Sequence, residues 1–389
     1  MDQTNVIVFS SVQMEYVTKV VKLTDKPVRF ICSLSEQDYR RLAGGSRWQR
    51  LGLRVQMYLG FPVKLAWGAV WAPRNSILLV SSNPFFSPLL AWVCSRISRP
   101  KVVHWRCDLY PDALVVARTI KAGGFLERFI GHVQRLMHLT CDDVVSVGDY
   151  LRIHAEMRWG RPRCGHYIDN VPSDENQFSS NLTPLPGALV FHYGGQLGHM
   201  HEPASFLEFI RTAQHIDKGV RFDFRMSGVH REGFSRELAR LGLSASGPVA
   251  NAQWKLLIAE FQLGLVSLSP GGATVSLPSK IYSMMAGGLA IVAICPVWSD
   301  LAQIILKAES GWVINNSPFE SVEELLKGDY AANCAAQRSL DLVAEDSARL
   351  VELLLADRNL VEQRRKAAVR AAHGAFGVAE LKRRWAEVL

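Results

Sequence analysis

The residues best suited to chemistry lie between Phe261 and Ile294, centred on Ser269-Pro-Gly-Gly-Ala-Thr-Val-Ser-Leu-Pro-Ser-Lys280. Phe261–Leu268 is an apolar run of strand length, closed by a Pro-Gly-Gly turn signal. Ser276 is placed to cap a helix with Pro278 in its first turn, where the missing N–H costs nothing. Ile281, Met284 and Met285 repeat at helical spacing, Gly287-Gly288 stops the helix, and Leu289–Ile294 reads as the next buried strand. Strand, glycine-rich loop and helix N-terminus make an anion site, because free N–H groups and the positive helix end face the same spot. Lys280 adds a full charge within the first turn, so a phosphate group is the expected ligand. The same residues also suit an ordinary βαβ unit with a capped helix, and Lys280 a solvated lysine.

The elements that must position this stretch follow from the rest of the chain. At 389 residues and 48% hydrophobic, it is long enough for two domains with full cores. Asn5–Phe9, Val28–Cys32, Ser76–Ser81, Lys101–Arg106 and Asp143–Val147 read as strands separated by helical stretches. The polar run Ser173–Pro186 reads as a linker. A second alternation begins at Ala188–Tyr193, with the loop Gly194-Gly-Gln-Leu-Gly198 at its end, and continues through Arg221–Met226 to the stretch described above. From Val322 the chain is helical. The expected fold is α/β: two Rossmann-like domains with parallel sheets facing across a cleft, residues 1–172 and 187–372, with a last helix in 373–389 packing back on the first.

Charge and cysteines narrow the partners. The net charge of +8 falls entirely within residues 1–175, as a partner surface would require. No helix-turn-helix, zinc-finger or RNP pattern appears, so nucleic acid is not expected. Leu51–Trp71 is rich in Leu, Val, Trp and Tyr but broken by Arg54, Pro62 and Lys64. A spanning helix needs about 20 mostly apolar residues, so this stretch suits the interface of an anionic membrane rather than its interior. Phe85–Trp92 adds aromatic residues nearby; burial in the core is the alternative for both stretches. Seven cysteines without a C-x-x-C pair point to a reducing compartment, with no disulfide framework and no zinc site. The N-terminus lacks a secretory pattern, so a cytoplasmic protein, peripheral on the inner face of the membrane, is expected.

Four segments resemble a known family. Leu277-Pro-Ser-Lys-Ile-Tyr-Ser-Met-Met-Ala-Gly-Gly-Leu-Ala-Ile-Val-Ala is similar to the donor-site segment of glycosyltransferase family 4, in its PSK-type branch of capsule, O-antigen and colanic-acid-like exopolysaccharide transferases. Phe191–Glu202 is similar to that branch's glycine loop, Val102–Asp112 to its Asp-x-Tyr-Pro-acid segment, and Ser299–Ile305 with Gly311–Ile314 to its Ser-Asp-Leu segment. The resemblance implies the GT-B fold and a retaining transfer from a nucleotide-diphosphate sugar to a glycan acceptor, taken here to be lipid-linked, in bacterial surface polysaccharide synthesis. It implies no cofactor and no metal. The absence of an Asp-x-Asp sequence agrees with the last point. Leaving-group charge would then be met by the helix N-terminus, by Lys280 and by N–H groups of Gly194–Gly198.

By the same resemblance, the donor would be held by Gly194, Gly195, Gln196, Gly198, His199, Arg225, Thr274, Val275, Pro278, Ser279, Lys280, Tyr282 and Ser283. Catalysis would involve Asp108, Lys280 and Glu202. The acceptor would meet Asp108 and Asp112, carboxylates at the end of a strand, where one could orient or deprotonate a hydroxyl. A helix-capping role is the alternative for Asp112 and for Glu202. The chain departs from the branch where two glutamates stand eight positions apart, here Val275 and Ser283, and where the loop Arg is His199. These departures leave open a GT-B protein that binds nucleotide sugar but transfers it weakly or only with a partner. A GT-B sugar-nucleotide epimerase is a further alternative. Gly194–Gly198 is not G-x-G-x-x-G, which argues against a dinucleotide oxidoreductase.

Overall fold

Runs of β-branched and apolar residues, buried on both faces, build two all-parallel sheets. This is what near-continuous hydrophobic strands require once helices cover both sides. The computed structural model describes residues 4–39, 46–170, 187–258 and 260–389. The expected linker Ser173–Pro186, and with it the expected domain boundary, lies outside the described residues. The chain divides into two compact units, Met1–Val171 with Val378–Leu389, and Pro172–Gly377.

In the first unit β1 (Val6–Gln13), β2 (Val28–Ser35), β3 (Ile77–Ser81), β4 (Lys101–Arg106), β5 (Asp143–Ser146) and β6 (Gly165–Tyr167) lie in the order β2-β1-β3-β4-β5-β6. In the second, β7 (Val190–Gln196), β8 (Arg221–Ser227), β9 (Leu263–Ser267), β10 (Ala290–Ile294) and β11 (Gly311–Ile314) lie in the order β11-β10-β9-β7-β8. Every ladder is parallel, so all strands of a sheet open their C-terminal ends on one edge, where ligands bind in such folds. The short strand β6 and the helix Phe125–Thr140, neither anticipated from the sequence, complete the first unit.

The helix expected to begin at Ser276 begins later. Ser269, not Ser276, caps a single turn, Pro270–Ala273, by accepting the Gly272 N–H at 2.9 Å. The next helix is Lys280–Ala286, with Ser279 at its N-cap and no side-chain cap. Pro278 explains the break, since its ring disfavours helical backbone at Leu277 and pushes the start beyond itself. Lys280 is therefore the first helical residue. The helix has only seven residues, so its dipole is a weaker source of positive potential than the sequence suggested.

The last helix, Val378–Trp385, returns to the first unit's sheet. Leu381, Trp385, Val388 and Leu389 are buried with Val103, Trp105 and Ile168 in one apolar layer. The Trp385 ring meets Trp105 edge-on at 5.7 Å, and Trp105 meets Tyr16 in the same way at 5.3 Å. Such pairs add to the area they bury. Arg384 completes the seam with an ion pair to Asp169 at 2.8 Å. Trp385→Ala should cost about 3–5 kcal/mol of unfolding free energy, measured by urea denaturation. A loss below about 1 kcal/mol would show that this helix is an appendage rather than part of the core.

Candidate functional site

In the second unit, the residues that can meet an anion gather at the C-terminal ends of β7 and β9. Strand β7 brings Gly194, Gly195 and Gln196 to that edge, and β9 leads through Ser269 and the broken turn to Lys280. The aliphatic stem of Lys280 is half-buried, while its Nζ is buried without any hydrogen-bond partner among the described residues. The ammonium lies 3.8 Å from the centre of the Tyr193 ring, whose π face favours a cation. Among the described residues no carboxylate pairs with it. Desolvation accordingly draws the Lys280 ammonium down to about 7. A side chain on Gly195 would lie 3.5 Å from Lys280 Cδ, and the residue has φ +127°, so glycine here serves both the turn and the lysine's path.

His201, given no role at first, sits beside this ammonium. Burial, then the nearby Lys280 charge, lowers its imidazole to about 3, so the ring is neutral. Its Nδ1 lies 3.1 Å from the Gly198 N and 3.3 Å from the Gly198 O, so the ring is tied to the glycine loop. This contact changes the expected anion site. The Gly198 amide is already engaged, the Leu197 amide donates to Ser227, and the amides of Val275 and Ser276 donate to Gly272. Part of the main chain of the loop is thus self-satisfied, and the side chain of Lys280 is a donor left free among the described residues.

A second layer holds the glycine strand. His192 Nδ1–H donates to Asp223 at 2.8 Å, Trp254 Nε1–H donates to His192 Nε2 at 3.1 Å, and Arg225 Nε–H donates to Asp223 at 3.0 Å. Burial works against the Asp223 carboxylate, but His192 and Arg225 outweigh it and hold its pKa below the usual range. A methyl group on Gly194 would fall 2.4 Å from Trp254 Nε1, so the His192–Trp254 bond requires glycine there.

The other residues expected at the donor site separate into two groups. Gln196, His199 and Ser279 are exposed, with the His199 ring 6.0 Å from that of His230; Pro278 and Gly198 are half-buried. Arg225 is partly committed to Asp223. Thr274, Val275 and Tyr282 are core residues instead. Thr274 bonds Gly271 O at 2.7 Å, Val275 is fully buried, and the Tyr282 ring packs against Phe376 at 5.2 Å. Ser283 is buried as well.

Two expected carboxylates have structural duties. Glu202 is the N-cap of the helix Pro203–Ile216, accepting Ala204 N–H at 2.6 Å and Ser205 N–H at 2.9 Å, so both its oxygens are taken. Asp112 is buried and accepts from His154 Nε2 at 3.1 Å and Trp159 Nε1 at 2.7 Å, with Arg158 Nε at 2.7 Å. It neither caps its helix, where Pro111 is the N-cap, nor faces outward. Its first partner lies 42 residues away, beyond any spacing argument. Asp108, by contrast, stands open to solvent just beyond β4, with Tyr16, Tyr39 and Tyr110 in its field. Although it is open, the crowding of protein around it raises its carboxyl to about 6.

Among the described residues, Asp143, Cys164 and His166 place three possible metal donors within 4.8 Å of one another. Lys101 Nζ already lies 2.8 Å from Asp143, and His166 Nε2 lies 2.7 Å from its other oxygen. That charge balance is complete without an ion. The group sits at the N-terminal ends of β4 and β5, the opposite edge from Asp108.

No model of a known protein family matches the chain. It is 23% identical over 257 residues to the probable glycosyltransferase WbjE of Pseudomonas aeruginosa, a match covering 62% of each chain, so it spans about three-fifths of that relative's length. Anabaena HepE, solved in complex with UDP, superposes with a TM-score of 0.64 at 12% identity over 99% of both chains. Sucrose-phosphate synthase of Thermosynechococcus elongatus gives 0.65 at 11% identity over 99% of this chain and 98% of that one.

A pH-resolved test isolates the buried ammonium. A base whose folded pKa lies below its unfolded value destabilises the fold fully below the folded pKa, and this cost fades as pH rises toward the unfolded value. Lys280→Met, close in volume, should therefore stabilise the ligand-free protein by on the order of 2–4 kcal/mol at pH 6. The gain should shrink steadily between pH 7 and pH 10, measured by urea denaturation across pH. A variant less stable than the parent at pH 6 would mean that the ammonium has a partner after all. The two parallel sheets and these superpositions identify the fold as GT-B, that of the glycosyltransferases it matches.

Proposed function

We propose that this chain is a glycosyltransferase that takes a sugar from a nucleotide-diphosphate donor, with retention and without an essential metal. The acceptor in this reading is a lipid-linked glycan of bacterial surface polysaccharide synthesis. The observation that carries the reading is the buried, unpaired ammonium of Lys280 at the strand ends of a GT-B unit. A diphosphate supplies the counter-charge that the protein itself leaves out. As the bond between the sugar C1 and the diphosphate oxygen breaks, negative charge grows on the leaving group, and an ammonium already in place stabilises it without reorganisation. His201 stands beside it as a neutral imidazole, adding no competing charge. The acceptor oxygen forms the new bond to C1 and gives up its proton. Asp108, at about 6, is ionised at neutral pH and suited to take it. His192, Asp223 and Trp254 act one step removed, by holding β7 in position.

The membrane part of the reading rests on the first unit's surface. Helices Arg47–Val55 and Phe61–Val70, joined through Gln56–Gly60, expose Trp48 (78%) and Trp67 (70%), together with Leu59, Val63 and Trp71. Arg47, Arg50, Arg54 and Lys64 share the segment, so an apolar face and cationic groups are offered together, as anionic interfaces favour. Among the described residues no helix is long and apolar enough to cross a membrane.

A second reading, binding without transfer, is favoured by Val275, which is apolar and fully buried where the resembling branch carries a glutamate. One experiment separates the two. UDP-, GDP- and dTDP-sugars are screened by thermal shift with and without EDTA, and release of free nucleotide is then followed on adding a lipid extract. The transferase reading expects a shift indifferent to EDTA, lipid-dependent nucleotide release, and a roughly hundredfold lower kcat in Lys280→Ala. Binding with no release to any extract would select the second reading, and no shift with any nucleotide sugar would reject both. For the membrane surface, the double change Trp67→Ser and Trp71→Ser should weaken sedimentation with phosphatidylglycerol vesicles about tenfold while leaving thermal stability unchanged. Unchanged sedimentation would remove these helices from the contact.

A further inference from the structure

A recess of about 680 Å³ opens at the N-terminal edge of the first unit's sheet, the opposite edge from Asp108. It lies where the helix Ser87–Cys94 ends and β4 begins, beside the last turn of the helix Phe125–Thr140. Its lining is strongly basic: Arg96, Arg99, Lys101 and Arg163 against the single carboxylate of Asp142. Lys101 is spent on Asp143 and on the Val388 carbonyl at 2.7 Å. Asp142 is in turn spent on the Val102 N–H at 2.7 Å. The three guanidinium groups remain, and none forms an ion pair among the described residues.

Two features show that these arginines are held rather than scattered. Arg96 lies over the Trp92 ring at 4.5 Å, which fixes its plane at the wall of the recess. Arg99 has φ +51° and its N–H bonds Ser95 O at 2.7 Å, which is the left-handed position that ends a helix. Glycine takes that position without strain, so an arginine there carries a steric cost that its side chain must justify. Apolar groups are close by: Leu139 and Trp92 line the recess, and Ile97, next to Arg96 in the chain, is 90% exposed.

We infer that this recess is a binding site for a phosphate group, carried either by a free anion or by a lipid headgroup, and separate from the residues assigned to sugar transfer. Planar guanidinium forks match phosphate oxygens, and three arginines lining one recess leave it short of negative charge, even with the Arg99 Nε directed at the Arg96 carbonyl at 3.4 Å. The apolar groups mark the side on which an acyl chain would leave, which makes the lipid the source to test beside the free anion. The inference does not depend on the transferase reading.

The test compares the intact chain with the triple variant Arg96→Gln, Arg99→Gly and Arg163→Gln, in which glycine suits the left-handed backbone and thermal melting confirms folding. A charge-matched control carries Arg47→Gln, Arg50→Gln and Arg54→Gln, and a second control carries Lys280→Ala. Inorganic phosphate is titrated by ³¹P NMR, and phosphatidylcholine vesicles containing phosphatidic acid are tested by co-sedimentation. The triple variant should bind phosphate, or the vesicles, more than about tenfold more weakly, at roughly three- to fivefold for each exposed guanidinium, both with and without Lys280→Ala, which removes the other proposed phosphate contact, and phosphate binding should be intact in the charge-matched control. Loss in the phosphate arm identifies a free anion as sufficient, and loss confined to the vesicle arm identifies the headgroup. Equal binding by the triple variant and the parent in both arms, or phosphate binding abolished only by Lys280→Ala, would overturn the inference.

Discussion

An ammonium held out of water with no opposing carboxylate among the described residues is the constraint on which the second unit turns. Lys280 would reach solvent from an exposed helix, but the one it opens is buried from Ile281 to Ala286. Instead its tip lies against Tyr193 and under the path left by Gly195, with His201 neutral beside it. Burying a cation unpaired is unfavourable, and a chain that keeps one there holds a place for an anion to complete. The amides of Leu197, Gly198, Val275 and Ser276 are engaged elsewhere, so the Lys280 charge is the strongest feature the site offers an anion.

The rest of the unit can be read as support for that placement. Gly194 lets Trp254 reach His192, which fixes β7 through Asp223, and Glu202 ties down the loop after β7 by capping the following helix. Ser269 and Pro278 together break the connection from β9 into two pieces, which is why Lys280 opens its helix instead of lying inside it. The first unit shows the same economy. Its buried Asp112 cross-links two helices, while Asp108, four residues earlier, is left open.

The fold was legible because parallel strands buried on both faces are written as apolar runs: six of the nine runs read as strands match within two residues at both ends, and β1, β2 and β7 continue three or four residues further. Shorter elements such as Gly165–Tyr167 carry too little signal. The surroundings of the expected site residues were legible only where local chemistry decides them. Lys280 and Gly195 follow from a glycine-rich strand end and a helix start. The duties of Asp112, Thr274 and Tyr282 are set by partners 42, 56 and 94 residues away, which no spacing rule reaches. For Glu202 the helix-cap alternative is the one the geometry displays, because a carboxylate two residues ahead of a helix's first free amides is placed to accept them. His201 was passed over because its role arises from neutrality under burial, a property of three dimensions.

The most direct measurement is the pKa of Lys280 itself, followed by NMR on protein labelled with ¹³C at lysine Cε, first free and then with UDP. A value near 7 in the free protein, rising by about two units or more when the nucleotide binds, is what an unpaired ammonium completed by a diphosphate requires. A free value near 10.5, or one that UDP leaves unmoved, would contradict the account at its centre.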